Sequence, residues 1–418
     1  MTVTRQREFW VLIGCAIALG VFGAFASLIS LGIIKFGSKW STGARLGWFG
    51  GHWWWIAVTA GAGVVVGLLG RLIHLPEEVP GLFEDLTTER FDLGLVPRTV
   101  AVSAVSLIGG ASVGPEKMLA SMGGGAGSWL ARRRGLGKED LQVNTLAGIA
   151  GIFGGLFSSP VIVVLLILEI ARPGGQRFSK TLVTDIAASS VSFGIYFAIA
   201  GAVFLGVYRV PQYRFEDWQL LAGIPLGLFG ALVTTMTAGF TTLASRLFRQ
   251  LKAPAIAKST LGGLLFGVVG VALPLTMFSG GEQLASEIRD ARGLGLGLGF
   301  AILIAKMFTY GVSQGSGFVG GPIFPTLFIG GAAGIVVHQA IPGVPLGLAF
   351  SCLLPAVLGS LAAAPFSMVL MAAILTRVGP LQTSPILITV VTTFLGVAGV
   401  RYLLGTRATG PSDSVPQE

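Results

Sequence analysis

The stretch GGASVGPEKMLASMGGGAG, residues 109–127, places an acidic residue, Glu116, beside a basic one, Lys117, in an otherwise apolar and glycine-rich segment. A carboxylate there can accept a proton, act as a general acid or base, or occupy a site for another anion. A second acidic residue, Glu169, lies near the end of another apolar run, SSPVIVVLLILEIA at 158–171. Because charged residues are costly in apolar segments, Glu116 is a candidate functional residue.

The composition indicates that a membrane surrounds these residues. Of the 418 residues, 53% are hydrophobic and 11% are charged, and the mean hydropathy is +0.80. A helix needs roughly 20 apolar residues to cross a bilayer. Eleven such runs occur, at 9–34, 53–75, 97–122, 142–171, 182–207, 219–244, 258–278, 294–312, 318–341, 346–376 and 383–404. We therefore predict an all-α polytopic protein of the plasma or inner membrane, with a disordered polar tail at 406–418.

The net charge of +9 does not indicate nucleic-acid binding, because the basic residues form short clusters at 131–138, 245–252 and 401–407. Such clusters are typical of loops between spans, where they face anionic lipid headgroups. Cys15 and Cys352 lie inside apolar runs, so no disulfide is predicted, and the three histidines match no metal-ligand spacing. We expect neither a metal nor a cofactor.

An internal repeat runs through the chain. GPEKMLASMGGGAG at 114–127 resembles GPIFPTLFIGGAAG at 321–334, with a Gly-Pro start and three later glycines in register, at an offset of 207 (321 minus 114). The apolar run at 158–171 resembles AAPFSMVLMAAILT at 363–376, at an offset of 205. Glycines spaced three or four apart let helices approach closely in lipid, so the repeated glycines are predicted packing faces.

The repeat divides the chain into a first transmembrane repeat, 1–208, and a second, 209–405. Proline is favoured in the first turn of a helix, so both Gly-Pro segments are predicted to begin helices inside the membrane. Such a helix exposes unpaired N–H groups and the positive end of its dipole, which lipid cannot satisfy. Two broken helices from related repeats therefore predict an anion site near the midplane.

Glu116 falls in the first turn of one of these predicted helices. A negative charge there is stabilised by about 0.3–2 kcal/mol, which offsets much of the roughly 2.5–3.5 kcal/mol cost of a carboxylate at mid-membrane. The carboxylate would occupy the site without an anion and leave it on protonation, which makes Glu116 a candidate gate and proton acceptor. The alternative is a capping acid that pairs with Lys117 or with a distant arginine.

The order and spacing of these motifs resemble the CLC family of chloride channels and chloride/proton exchangers. In one half that family carries G-R-E-G-P, and here Gly114 and Glu116 match, whereas Pro115 replaces the arginine and Lys117 the second glycine. The segment around Glu169 resembles the family's N-A-P-L-x-G-x-L-F-x-x-E-E stretch.

The other half of the family carries G-x-F-x-P. Here Gly321 and Pro325 match, and Ile323 stands where phenylalanine is expected. Pro322 has no N–H to offer an anion, so the resemblance implies that the N–H groups of Ile323 and Phe324 are the donors.

Three departures from the family pattern bear on function. The family's G-S-G-I-P motif supplies a serine to the anion, but the corresponding stretch, RLIHLPEEVPGLFED at 71–85, contains no Ser or Thr. The family's central tyrosine has only Tyr402 in the right region. The inner glutamate that relays protons in coupled members falls on Ile170, next to Glu169, which leaves Glu169 as the candidate inner relay.

The resemblance implies a homodimer with a pore in each subunit and two halves inverted relative to each other. It implies transport of a small anion, most simply chloride, either as chloride/proton antiport or as passive flow. Fluoride, bicarbonate or nitrate would meet the same helix dipoles.

Three other functions fit less well. A lipid-modifying enzyme needs an acid/base pair, but no motif pairs a histidine with Glu116 or Glu169. The run GGGAG lacks the Lys and Ser/Thr that follow a phosphate-binding loop. A cation-coupled transporter is disfavoured because helix N-termini repel cations.

Overall fold

The computed structural model describes residues 3–41, 51–76, 78–89, 91–201 and 208–408. Within these ranges the chain forms fifteen α-helices and one 3₁₀ turn, Pro274–Thr276. The helices are α1 Val3–Ser41, α2 Trp55–Leu72, α3 Leu82–Thr88, α4 Val96–Ile108, α5 Glu116–Arg133, α6 Lys138–Phe157, α7 Pro160–Ala171, α8 Gln176–Ala200, α9 Trp218–Gln250, α10 Ala255–Ala272, α11 Gly281–Gly315, α12 Ile323–Ala340, α13 Leu346–Leu361, α14 Pro365–Thr376 and α15 Thr383–Ala408.

Two features predicted from the sequence reach beyond the described residues. Of the predicted tail at 406–418, residues 406–408 complete α15, and 409–418 lie outside the described ranges. Residues 202–207, next to the predicted boundary between the repeats, also lie outside them.

The helices confirm a polytopic membrane protein. In the described part of the chain, eight helices are long and apolar enough to cross a membrane, namely α1, α2, α8, α9, α10, α12, α15 and the Gly293–Gly315 segment of α11. Shorter apolar helices, α4, α7, α13 and α14, lie between them.

Three predicted spans are wrong as single helices, because 97–122, 142–171 and 346–376 each contain two. The breaks fall before prolines, where the preceding residue is disfavoured in the α conformation. In two of them a residue adopts a left-handed backbone conformation that ends the first helix, Ser158 at φ 51° and Ala363 at φ 53°. A new helix starts after each break.

The helices follow the predicted repeat. α5 and α12 both contain 18 residues and start directly after a proline, Pro115 or Pro322. α7 and α14 both contain 12 residues and start on a proline, Pro160 or Pro365. The packing repeats as well, since α5 packs on α6 as α12 packs on α13, and α6 on α8 as α13 on α15. The two halves meet where α2 packs on α10 and α7 on α14.

The repeated glycines are packing faces, as predicted. A β-carbon on Gly127 of α5 would lie 2.3 Å from the carbonyl oxygen of Asn144 on α6. In the second repeat, a β-carbon on Gly330 of α12 would lie 2.4 Å from the carbonyl oxygen of Leu353 on α13. Only glycine permits this approach of helix backbones, which fixes the helices that carry the site.

The substitution Gly127→Ala tests this packing. The added methyl group would overlap the Asn144 carbonyl, so we expect a loss of about 1–3 kcal/mol of stability, seen as a lower unfolding midpoint in detergent. Gly194→Ala on α8 is the matched control, because an added β-carbon there would have no neighbouring atom within 4 Å. Equal midpoints for the two variants would contradict the packing account.

Candidate functional site

The two segments that lead into α5 and α12 are joined by their backbones. The N–H of Gly114 donates to the carbonyl oxygen of Gly321 at 2.8 Å, and the N–H of Gly321 donates to that of Gly114 at 2.7 Å. This antiparallel pair places the N-termini of the two half-helices side by side inside the protein.

Two serine side chains on neighbouring helices accept hydrogen bonds from the backbones of the same two segments. The Ser313 hydroxyl oxygen accepts the N–H of Ser112 at 3.0 Å, and the Ser106 hydroxyl oxygen accepts the N–H of Val319 at 3.1 Å. The two hydrogen bonds correspond to each other under the repeat. Both the serine acceptors (313 minus 106) and the N–H donors (319 minus 112) are 207 positions apart. Irregular backbone inside a membrane protein needs such partners, because lipid offers none.

A buried lysine supports the first of these segments indirectly. The ammonium of Lys306 on α11 donates to the carbonyl oxygens of Thr276 at 3.0 Å and Phe278 at 2.7 Å. It also lies 4.9 Å from the centre of the Phe328 ring. The N–H of Phe278 donates in turn to the carbonyl oxygen of Gly110 at 3.1 Å. Lys306 therefore fixes a loop that contacts the approach to α5.

Glu116, the first residue of α5, is fully buried where the two half-helices meet. Its Oε1 accepts the N–H of Phe324, in the first turn of α12, at 2.7 Å. Its Oε2 lies against Gly114 and Gly321, where an added β-carbon would be 2.1 Å and 1.9 Å away, respectively. Glycines leave the space that the carboxylate fills. The carboxyl group thus occupies the position at the N-terminus of α12 that suits an anion.

Lys117 does not pair with Glu116. Its ammonium donates to Oδ2 of Asp85 on α3, in a salt bridge between side chains that are almost fully buried. The alternative that Glu116 is a capping acid paired with Lys117 is therefore wrong. Asp85 was not identified from the sequence, although it ends the 71–85 stretch that lacks the family's serine.

A cavity of about 1180 Å³, which we call the vestibule, opens beside this site. Lys117 on α5, Tyr310 and Gln314 on α11, and Pro322 before α12 form part of its wall. Its wall also carries basic and acidic side chains, namely Arg71, Arg249, Lys258, Glu78 and Glu84. The vestibule therefore carries charged side chains of both signs and reaches the residues that flank Glu116.

Glu169, the predicted second proton acceptor, holds the two repeats together. Its Oε1 accepts the N–H of Phe366 at 2.9 Å, and its Oε2 accepts the N–H of Ser367 at 2.7 Å. Both donors belong to the first turn of α14, so the carboxylate caps that helix. Ile170, at the family's inner-glutamate position, is buried.

Two of the predicted site residues, Tyr402 and Glu169, lie away from the others. Tyr402 lies on α15 with 73% of its surface exposed, and Glu169 lies at the contact between α7 and α14. The others come together at the N-termini of α5 and α12, namely Gly114, Pro115, Glu116, Lys117, Gly321, Ile323, Phe324 and Pro325.

The substitution Glu169→Gln tests the capping contact. An amide has one oxygen acceptor and no charge, so it cannot serve both N–H groups of α14 as the carboxylate does. We expect a loss of about 1–2 kcal/mol, measured as a lower unfolding midpoint in detergent. Glu139→Gln, an exposed acid in the first turn of α6, is the control and should change stability by less than about 0.5 kcal/mol. No loss in Glu169→Gln would contradict the capping role.

Comparison with known proteins gives a consistent result. The model of the family described as "Voltage gated chloride channel" matches residues 62–397. The chain is 25% identical over 367 residues to the protein of Escherichia fergusonii named "Putative ion-transport protein YfeO", covering 83% of this chain and 84% of that one.

Two solved structures share the fold. A slow cyanobacterial Cl⁻/H⁺ antiporter has a TM-score of 0.76 at 18% identity, covering 96% of this chain and 98% of the antiporter. A CLC-type fluoride/proton antiporter has a TM-score of 0.75 at 17% identity, covering 95% and 97%. These matches confirm the predicted all-α, CLC-like fold.

Proposed function

This chain belongs to the voltage-gated chloride channel family, and we propose that it carries a small inorganic anion, most simply chloride, along a path gated by Glu116. The observation that supports the proposal best is the hydrogen bond from the Phe324 N–H to the buried Glu116 carboxylate. The family comprises channels and transporters rather than enzymes.

The gating step follows from competition for one position. The Glu116 carboxylate and a mobile anion would bind the same N–H of Phe324 and the same positive helix end. An anion therefore passes only when the carboxylate has left. Protonation removes the charge that holds the carboxylate there, so the gate would respond to proton concentration. The helix N-termini would repel cations from the same position.

Two versions of this function differ in proton coupling. In the antiport version, Glu116 takes up a proton on one side and releases it on the other as the anion moves in the opposite direction. The two solved antiporters of similar fold motivate this version. In the passive version, protonation only opens the gate. The capping contacts of Glu169 and the apolar Ile170 beside it favour the passive version.

The identity of the anion depends on few groups. The position at Glu116 offers the Phe324 N–H, whereas the stretch at 71–85 offers no hydroxyl. Fluoride is the second candidate anion because one solved structure of similar fold is a fluoride/proton antiporter. Bicarbonate and nitrate fit the same charge. We further propose a homodimer in the plasma or inner membrane, as the family resemblance implies.

The substitution Glu116→Gln tests the gate. The glutamine side chain imitates the protonated acid, so we expect anion flux in liposomes to change by about an order of magnitude and to lose its dependence on pH. Glu139→Gln should keep the flux and pH dependence of the unmodified protein. Unchanged flux at every pH in Glu116→Gln would contradict the proposal.

Proton movement distinguishes the two versions. In liposomes with an imposed chloride gradient and with the voltage clamped by a potassium ionophore, antiport moves protons uphill and passive transport does not. If Glu169 relays the proton, Glu169→Gln keeps chloride flux and loses proton movement. Absence of chloride flux would direct the same assay to fluoride, bicarbonate and nitrate.

A further inference from the structure

The salt bridge between Lys117 and Asp85 has no role in the gating step. Both residues are almost fully buried, with 4% and 5% of their surfaces exposed. A buried ion pair seldom adds stability over well-packed apolar residues, because removing two charges from water costs more than the pairing returns. The position of the pair is therefore the more informative property.

Lys117 stands at the boundary between the vestibule and the gate. It directly follows Glu116 in the first turn of α5, and its side chain forms part of the vestibule wall. Under the repeat offset of 207 its equivalent is Phe324, whose N–H binds the Glu116 carboxylate (324 minus 117). Pro322, just before that turn of α12, lines the same cavity. An anion that moves between the vestibule and Phe324 therefore passes close to Lys117.

The ammonium of Lys117 has more hydrogen-bond donors than it uses within the described residues. A lysine ammonium carries three N–H donors, and Asp85 is the one hydrogen-bond partner that it has among the described residues. Lys117 also lines a cavity large enough for hydrated ions. Lys117 thus combines burial, a positive charge, unused donors and access to the vestibule.

We propose that Lys117 is a second binding position for the transported anion, at the vestibule end of the path, and that Asp85 weakens this binding so that the anion can leave. The inference rests on the proposed function and extends it from one anion position to two in series. A transport path needs sites that bind well enough to admit an ion and weakly enough to release it.

Charge balance explains the role of Asp85. A lone buried ammonium would hold an inorganic anion tightly in a medium of low dielectric constant. With the Asp85 carboxylate on the same ammonium, the pair is neutral, and an incoming anion is attracted mainly by the unused N–H donors. The nearest charged neighbour on the same helix, Glu84, lines the vestibule and further opposes tight binding.

The test is the dependence of stability on anion concentration. Asp85→Asn leaves Lys117 without its counter-ion, so this variant should be less stable than the unmodified protein in sodium gluconate. Exchange of gluconate for chloride at constant ionic strength should restore its unfolding midpoint, because chloride binds the folded state. We expect an apparent chloride dissociation constant at least about tenfold lower than in the unmodified protein. Fluoride and nitrate are tested in the same way.

Lys117→Met completes the test. It removes the charge and should abolish the effect, so the double variant Asp85→Asn/Lys117→Met should show no tighter chloride binding than Lys117→Met alone. The double variant leaves no unpaired buried charge and is expected to fold even where Asp85→Asn does not. If the double variant binds chloride more tightly than Lys117→Met alone, the inference is wrong.

Asp140→Asn is the matched control. Asp140 pairs with Lys180 at 2.5 Å in a partly buried salt bridge, and neither residue forms part of the vestibule wall. The unfolding midpoint of Asp140→Asn should respond to chloride as that of the unmodified protein does. An equal chloride response in Asp85→Asn and Asp140→Asn would overturn the inference.

Failure of this inference differs from failure of the proposed function. If Glu116→Gln is stabilised by chloride and carries flux while Asp85→Asn shows no added response, only the Lys117 position is wrong. If no anion stabilises any variant and no anion crosses the liposome membrane, the anion-transport proposal itself fails, and the Lys117 position fails with it.

Discussion

The backbone pair between Gly114 and Gly321 is the contact on which the rest of the site depends. Two helices that begin inside a membrane protein must have partners for their leading N–H and C=O groups, since the bilayer provides none. The pair satisfies one N–H and one C=O from each approach segment and sets the two helix ends side by side. Side chains on these two residues would fill the space that the Glu116 carboxylate occupies. One contact thus creates the positive site and the room for a negative group.

The proposed path of the anion passes two charged groups in series. From the vestibule, the first charged group is the ammonium of Lys117, partly neutralised by Asp85, and the next is the carboxylate of Glu116 on the Phe324 N–H. An anion meets an attractive group that it can leave and then a position already occupied by a carboxylate. In the proposed function, passage would depend on the protonation state of one side chain rather than on a large rearrangement of the packed helices.

The repeat, the broken helices and the position of Glu116 at a helix start could be predicted from the sequence because they depend on local patterns. Gly-Pro at two positions marks helix starts, and glycines in register mark close packing. The salt bridge of Lys117 joins residues 32 positions apart, and Glu169 contacts the N–H of Ser367 across 198 positions. Such pairings arise only from the tertiary arrangement. For the same reason, hydropathy alone merged three pairs of short helices into single spans, since a break next to proline leaves the run apolar.

The most direct measurement of the central claim is a crystal structure of Glu116→Gln grown in bromide, with anomalous scattering used to locate the ion. The account predicts a bromide within about 3.5 Å of the Phe324 nitrogen, in the place that Oε1 of Glu116 occupies in the unmodified protein. Crystals that show bromide elsewhere but none at the N-terminus of α12, in bromide concentrations that support flux, would contradict it. The Glu116 carboxylate would then be a structural cap, and the anion would take another route.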